Sequence, residues 1–216
     1  MLFAILKTEE SAEPFASSID KESVNKLPIF RYTGPTELVS EDRKLSQAIE
    51  ELAEEEVLGF DTETRPVFHK GYSRNPALLQ LAGKNRVYLF QLKILPRLDG
   101  LFDLLANANV LKVGVAIRDD LIGLKKWRPF TQQGFVELSS VTKKHGVTHT
   151  GLRNLTAIFL KIRISKGARM SNWERNPLST RQMEYAATDA WVARELFLRF
   201  RELNLLEETE AEMARP

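Results

Sequence analysis

A short apolar run that ends in two carboxylates constrains this chain more than any other stretch. The sequence VLGFDTE at 57–63 is typical of a buried strand, with Asp61 and Glu63 two apart at its end. Because strand side chains alternate between faces, both carboxylates project from one face of the sheet. Two like charges side by side repel, and a bound hard cation such as Mg²⁺ or Mn²⁺ relieves the repulsion. The alternative is a solvated strand end that leads into a polar loop.

Length and composition suit one α/β domain of ordinary size. The chain has 216 residues, of which 43% are hydrophobic and 28% charged, and its net charge is only +2. Without a global basic field, nucleic-acid binding has to come from a local patch. The absence of cysteine excludes disulfides, thiolate metal sites and a cysteine nucleophile. The opening MLFAIL is too short for a signal sequence or a membrane span, so we expect a soluble, cytoplasmic protein.

Hydrophobic patterning predicts a mixed sheet with helices on both faces. Strands are predicted at 29–32, 37–40, 57–60, 77–82, 86–90, 110–115 and 135–138, with hairpin turns at 33–36 and 83–85. Helices are predicted from Ser40 or Glu41, at 95–108, from Asp119 and Asp120, after a Thr150 cap, and at 179–203. We expect residues 1–27 to form a flexible or loosely docked arm, 28–206 the folded domain, and 207–216 an acidic tail that frays.

Two further carboxylates belong to core elements rather than to exposed faces. Asp120 follows an apolar strand at the start of a helix, and Asp189 lies in the helical run YAATDA at 185–190. Tyr185 is four residues before Asp189, so the two share a helix face. The neighbouring alanines let that face approach a partner closely, and a lone buried carboxylate needs a partner such as a metal.

Each of these residues also has a simpler explanation. Asp120 could be a first-turn acid that caps its helix, although Asp119 is the better candidate for a plain cap. Asp189 could pair with Arg194. Tyr185 could be a core aromatic with its hydroxyl at the surface.

Taken together, the three acidic blocks resemble the three motifs of the DEDD superfamily of 3′–5′ exonucleases, in its tyrosine branch. The blocks are FDTE at 60–63, VGVAIRDDL at 113–121 and YAATDA at 185–190. The segments ALLQLA (77–82), VYLF (87–90), FVEL (135–138) and SNW (171–173) are similar to that group in type and order. The relatives that the pattern resembles are the Werner-syndrome-type exonuclease domain and ribonuclease D, over about residues 40–203.

The resemblance implies a ribonuclease H-like fold with a mixed five-stranded central sheet flanked by helices. It also implies hydrolysis with two divalent metal ions, Mg²⁺ or Mn²⁺, which releases nucleoside 5′-monophosphates from the 3′ end of DNA or RNA. Asp61 would contact both ions, Glu63 and Asp189 the first, and Asp120 the second. Tyr185 would orient the attacking water, because a free phenol pKa near 10 is too high for an effective base.

Substrate contacts are predicted beside the acids. The connection at 161–177 is basic, and Lys166 and Arg169 with Trp173 are candidates to bind phosphates and to stack on a base. Thr62 is a further candidate. The alternative is a solvated loop with Trp173 packed in the core. Residues 68–75, with His69, Lys70, Tyr72 and Arg74, form a candidate lid.

The sequence also allows a second interpretation of the function. A non-catalytic nucleic-acid-binding or scaffolding module could keep the same fold, but such a module is expected to lose one of the four acids, and all are present. Ribonuclease D also carries helical nucleic-acid-binding domains after its nuclease domain. This chain stops shortly after Leu206, so we expect local contacts or a protein partner to help grip the substrate.

Overall fold

The computed structural model describes residues 15–67 and 74–206, which form one six-stranded sheet with helices on both faces. The strands are β1 (Thr36–Val39), β2 (Val57–Glu63), β3 (Leu78–Ala82), β4 (Val87–Gln91), β5 (Leu111–Gly114) and β6 (Phe135–Glu137). The helices are α1 (Lys21–Lys26), α2 (Asp42–Ala53), α3 (Asp99–Ala106), α4 (Arg118–Trp127), α5 (Leu138–Lys144), α6 (Leu152–Leu160) and α7 (Thr180–Glu202).

The sheet has the order β1-β4-β3-β2-β5-β6, and among these strands β3 alone runs against the others. The mixed sheet is therefore confirmed. Because β2, β5 and β6 are parallel neighbours, their carboxyl ends meet at one edge of the sheet. This edge is where open α/β sheets place their ligand sites, and it is where the predicted acids lie.

The two faces of the sheet are covered by different helices. On one face, α2 and α3 pack over Leu58 and Phe60 of β2 in a large apolar cluster. On the other face, α7 lies across β2, β3 and β4, with alanines at the contact. A capping box of Ser179 and Gln182 begins α7, which agrees with the predicted start at 179.

Three local predictions were wrong. The sheet has six strands rather than five, because β1 adds at the edge beside β4. Residues 29–32 do not pair with β1 in a hairpin; Ile29 makes a single bridge to Arg163, and the backbone N–H of Tyr32 donates to Thr188 of α7. The N-cap of α6 is Gly151 rather than Thr150.

Residues 15–32, which we call the N-terminal strap, run along the outside of α6 and α7. Val24 of α1 is buried, and Phe15 packs against Phe159 with ring centroids 4.9 Å apart. Residues 1–14 of the expected arm and the tail from 207 lie outside the described residues. Among the helices of the described chain, none combines the length and the hydropathy of a membrane-spanning segment.

Candidate active site

A glycine in β2 lets the long helix α7 lie directly on the strand. A Cβ atom at Gly59 would come 1.9 Å from the carbonyl oxygen of Ala190, so only glycine fits there. Ala186, Ala187 and Ala190 are fully buried at the same contact. This close approach brings the face of α7 that carries Asp189 against the end of β2.

Asp61, Glu63 and Asp189 form one compact acidic cluster. Their nearest ligand atoms all lie within 4.8 Å of one another. Glu63 and Asp189 are only 8% and 6% exposed, and Asp61 is partly buried. Asp61 and Glu63 project from the same face of β2, as their spacing predicts. Three carboxylates at this separation fit the oxygen ligands that a hard divalent cation prefers.

The electrostatics of the cluster favour a bound cation. Burial, followed by repulsion from Asp61 and Asp189, raises the pKa of Glu63 to about 10. Burial likewise raises the pKa of Asp189 to about 7, while a hydrogen bond from Tyr185 acts in the opposite direction. The pKa of Asp61 is raised well above its ordinary value by burial and by the charges of Asp189 and Asp120. Without a cation, the three carboxyls resist carrying charge together.

Within the described chain, Asp189 also has an oxygen without a hydrogen-bond partner, which could coordinate a cation. Its Oδ1 is buried and accepts no hydrogen bond from any described residue. The alternative partner, Arg194, is engaged elsewhere: its Nε donates to the carbonyl oxygen of Val57 at 3.1 Å. A buried carboxylate oxygen without a partner is costly, and the donor set around it fits a metal ion.

Asp120 lies beside the cluster but is held differently. It accepts a hydrogen bond from the hydroxyl of Thr62, and it is not among the three acids that share the 4.8 Å cluster. Burial raises the pKa of Asp120 to about 6, although the bond from Thr62 lowers it. Asp119 is exposed and does not line the groove that contains the other acids, so Asp120 is the acid of this pair that faces the site. Thr62 is buried and its hydroxyl donates to Asp120, and its predicted substrate contact stays a prediction.

The loop before Asp120 is held by Glu137 at the end of β6. The Glu137 carboxylate accepts from the backbone N–H groups of Ala116 and Ile117 at 2.9 and 2.8 Å, and from that of Ser139 at 2.9 Å. Ala116 adopts a left-handed conformation with φ of 62°. Sequence reasoning did not assign this role to Glu137. The available signal was an acid at a strand end directly before a helix, a common capping position.

Tyr185 lies one turn before Asp189 and lines the same groove. Its pKa is raised by burial and by the charge of Asp189, so the phenol keeps its proton. Trp173 packs against Tyr185, with ring centroids 6.0 Å apart, and is only 1% exposed. The prediction that Trp173 stacks on a base was therefore wrong, because the buried ring has no free face.

The acids lie in an open groove with a volume of about 890 Å³. Lys166 and Arg169 line it, and Arg169 is close enough to lower the pKa of Glu63. The remaining groove-lining residues are Ile19, Asp20, Lys21, Val24, Asp61, Thr62, Glu63, Val115, Ala116, Asp120, His149, Gly151, Leu152, Arg153, Asn154, Ile164, Ser165, Tyr185 and Asp189.

Other cations of the 161–177 connection and the predicted lid have different roles. The Nε of Arg163 donates to the carbonyl oxygen of Leu27 at 2.9 Å and so anchors the N-terminal strap. Arg74, at the end of the predicted lid, pairs with Glu174 at 3.2 Å, and Arg65 and Lys93 pair with the same carboxylate. Most of the predicted lid, residues 68–73, lies outside the described residues.

Comparison with known proteins shows the family of this chain. A family model described as 3′–5′ exonuclease matches residues 36–204, which include the whole acidic cluster. The chain belongs to the 3′–5′ exonuclease family. The resemblance to DEDD exonucleases is therefore confirmed.

Two curated relatives illustrate the family. The mouse bifunctional 3′–5′ exonuclease/ATP-dependent helicase WRN is 34% identical over 149 residues, which is 65% of this chain and 10% of that protein. Ribonuclease D of Haemophilus influenzae is 27% identical over 161 residues, which is 74% of this chain and 40% of that protein. The chain thus spans less than half the length of these relatives.

Solved structures share the fold. The Nibbler EXO domain of Aedes aegypti superposes with a TM-score of 0.73 at 22% identity, covering 82% of this chain and 95% of that one. Escherichia coli RNase D superposes with a TM-score of 0.68 at 19% identity, covering 82% of this chain and 49% of that one. The expected ribonuclease H-like fold class is confirmed.

Proposed function

We propose that this chain is a metal-dependent 3′–5′ exonuclease that removes nucleoside 5′-monophosphates from the 3′ end of DNA or RNA. The observation that carries the proposal is the buried cluster of Asp61, Glu63 and Asp189, with an unsatisfied oxygen on Asp189. We place the exonuclease unit in residues 28–206. A non-catalytic module would have no need for a cluster that costs free energy in the absence of a ligand.

The residues divide into those that would hold cations and those that would position water. Asp61, Glu63 and Asp189 would hold one Mg²⁺ or Mn²⁺, and Asp120 with Asp61 would hold a second. Divalent cations bound there supply charge stabilisation for the attacking and leaving oxygens of an in-line displacement. The acids themselves act as ligands and do not need to move protons.

Tyr185 would orient the attacking water. Its raised pKa means that the hydroxyl stays protonated, so it serves as a hydrogen-bonding positioner rather than as a base. Water adds to the phosphorus and releases one proton to solvent, and the bond from phosphorus to the upstream 3′ oxygen breaks as that oxygen takes up a proton from solvent. The shortened strand keeps a 3′ hydroxyl, and the released nucleotide keeps its 5′ phosphate.

The test is a digestion of 5′-labelled single strands, in DNA and RNA forms, with Mg²⁺, with Mn²⁺ and with chelator. The variants are Asp61→Asn, which removes a charge from the cluster, and Asp119→Asn, which removes the same charge from the exposed neighbour of Asp120. We expect a metal-dependent ladder that shortens from the 3′ end in the wild type and in Asp119→Asn, and none in Asp61→Asn. An absence of shortening with either metal on both strands would overturn the proposal.

A further inference from the structure

The N-terminal strap is tied to the elements that surround the groove. The side chain of Arg153 in α6 donates to Asn25 at 2.7 Å, and the backbone N–H of Thr148 donates to Ser17 at 2.8 Å. The backbone N–H of Phe30 donates to Arg163 at 2.8 Å. These contacts fix the strap against α6 and against the connection that carries Lys166 and Arg169.

Further along, the strap is also fixed to α7. Phe30 stacks on Trp191 with ring centroids 4.9 Å apart, and Arg31 pairs with Glu184 at 3.2 Å. The strap precedes the residues that the family model matches, 36–204. It lies outside the residues that the family model matches and packs beside the site.

The strap contributes side chains to the groove itself. Ile19, Asp20, Lys21 and Val24 line the same groove as the acids. Asp20 uses both carboxylate oxygens on Ser23, where it caps α1, rather than in an ion pair with its neighbour Lys21. Lys21 is exposed and has no ion-pair partner within residues 15–67 and 74–206.

Arg153 places a second cation at the junction of the strap and α6. One guanidinium nitrogen is held by Asn25, which fixes the side chain beside the groove. Its Nε is buried and has no hydrogen-bond partner in the described part of the chain. A guanidinium that is fixed beside the groove is suited to a phosphate oxygen.

We infer that Lys21 and Arg153 form a phosphate-binding pair for the nucleic-acid strand, at a nucleotide other than the one that is cut. The inference rests on the proposed function, since the acids mark where the bond is hydrolysed. Both cations line the groove but belong to elements other than β2, α4 and α7, which carry the acids. A strand whose end lies at the acids would extend along the groove past this pair. Lys166 and Arg169, on a different element, would contact other phosphates.

The test compares Lys21→Glu with Lys26→Glu. Both substitutions reverse a charge on α1, but the Lys26 side chain is 73% exposed, pairs with Glu22, and does not line the groove. Binding of a fluorescent 12-nucleotide single strand is measured by anisotropy, with chelator present, over a series of salt concentrations. The same proteins are assayed with Mn²⁺ on that strand and on the p-nitrophenyl ester of thymidine 5′-monophosphate, which has no neighbouring nucleotide.

We expect Lys21→Glu to weaken strand binding about tenfold and to flatten its salt dependence, since a phosphate contact is lost. The ratio of kcat/KM for the strand to kcat/KM for the ester should fall by a similar factor, because KM for the strand rises. Arg153→Gln, which can still bond to Asn25, should act in the same direction, and Lys26→Glu should match the wild type.

Equal strand affinity in Lys21→Glu and Lys26→Glu would overturn the inference. If no protein cleaves either substrate, the proposed function fails, and the anisotropy comparison still decides whether the pair binds a strand.

Discussion

Three of the four acids stand on rigid elements that pack directly on each other, whereas Asp120 follows a loop held by side-chain hydrogen bonds. Asp61 and Glu63 belong to β2, and Asp189 to α7, and the glycine at 59 leaves no space between them. Asp120 depends on Thr62 and on the loop that Glu137 clamps. We call these the packed half and the clamped half of the site.

A preorganised charge cluster can therefore be built in two ways. In the packed half, backbone contact sets the positions of the acids, and a change of one methyl group should disturb them. In the clamped half, a few hydrogen bonds set the position, and their loss should be partial. The packed half should therefore hold its cation more tightly, because its ligands lose little freedom on binding.

The largest effect should follow from Gly59→Ala in the packed half. The added methyl group would overlap the carbonyl oxygen of Ala190 and force α7 away from β2. We expect the free energy of unfolding to fall by about 3 kcal/mol, and activity to fall about a hundredfold because Asp189 is displaced. Urea denaturation and the strand assay measure both.

A matched control for this change is Gly100→Ala. There a Cβ atom would meet only the flexible end of Ile49, at 3.1 Å. If Gly59→Ala were as active as Gly100→Ala, the close contact between β2 and α7 would not be needed to position Asp189.

A smaller effect is expected from Glu137→Gln in the clamped half. The amide nitrogen of glutamine cannot accept a hydrogen bond, so one backbone N–H of the loop is left without its acceptor. We expect a loss of about 1–2 kcal/mol in stability and a drop in activity of about tenfold as Asp120 shifts.

The control for this change is Ser139→Ala, which removes the hydroxyl that donates to Glu137 at 2.7 Å but keeps both contacts to the loop. Equal activity in Glu137→Gln and Ser139→Ala would mean that the clamp does not position Asp120.

A further effect is a pH dependence of stability in the metal-stripped protein. Folding raises the pKa of Asp189 from 3.8 to about 7 and that of Glu63 from 4.5 to about 10, chiefly through burial. Above pH 4.5 the folded state therefore keeps protons on these two carboxyls that the unfolded chain has released. The stability that the two protonated carboxyls contribute is fully present below their unfolded pKa values, and it is lost as the pH rises through their folded pKa values. In chelator, Tm should fall steadily between pH 5 and pH 9.

Asp189→Asn should show a shallower fall in Tm over that range, and added Mn²⁺ should restore the wild type most strongly at high pH. A wild-type Tm that stays level or rises between pH 5 and pH 9 would count against the buried charge cluster.

The packed half could be predicted from the sequence because its signals are local. Spacing of two in a strand placed Asp61 with Glu63, and spacing of four in a helix placed Tyr185 with Asp189. The clamped half could not be predicted, because Glu137 accepts hydrogen bonds from the distant loop at Ala116. No short sequence pattern connects these two residues. Trp173 was misassigned for a similar reason: a basic neighbourhood suggested exposure, while its contact with Tyr185 buries it.

The strap and the first strand pair also depend on distant partners. A turn at 33–36 favours a hairpin locally. Residues 29–32 instead contact Arg163 and Trp191, which are too far away in the sequence for a local pattern to predict. Tertiary contacts overrode local propensity there.

A calorimetric titration of Mn²⁺ into metal-stripped wild type, Asp189→Asn and Asp120→Asn decides whether the packed half binds a metal ion. We predict one tighter and one weaker cation in the wild type. Asp189→Asn should lose the tighter one, with an affinity at least about tenfold lower, while Asp120→Asn should keep it. Identical isotherms for Asp189→Asn and the wild type would contradict the claim that the packed half is a metal site.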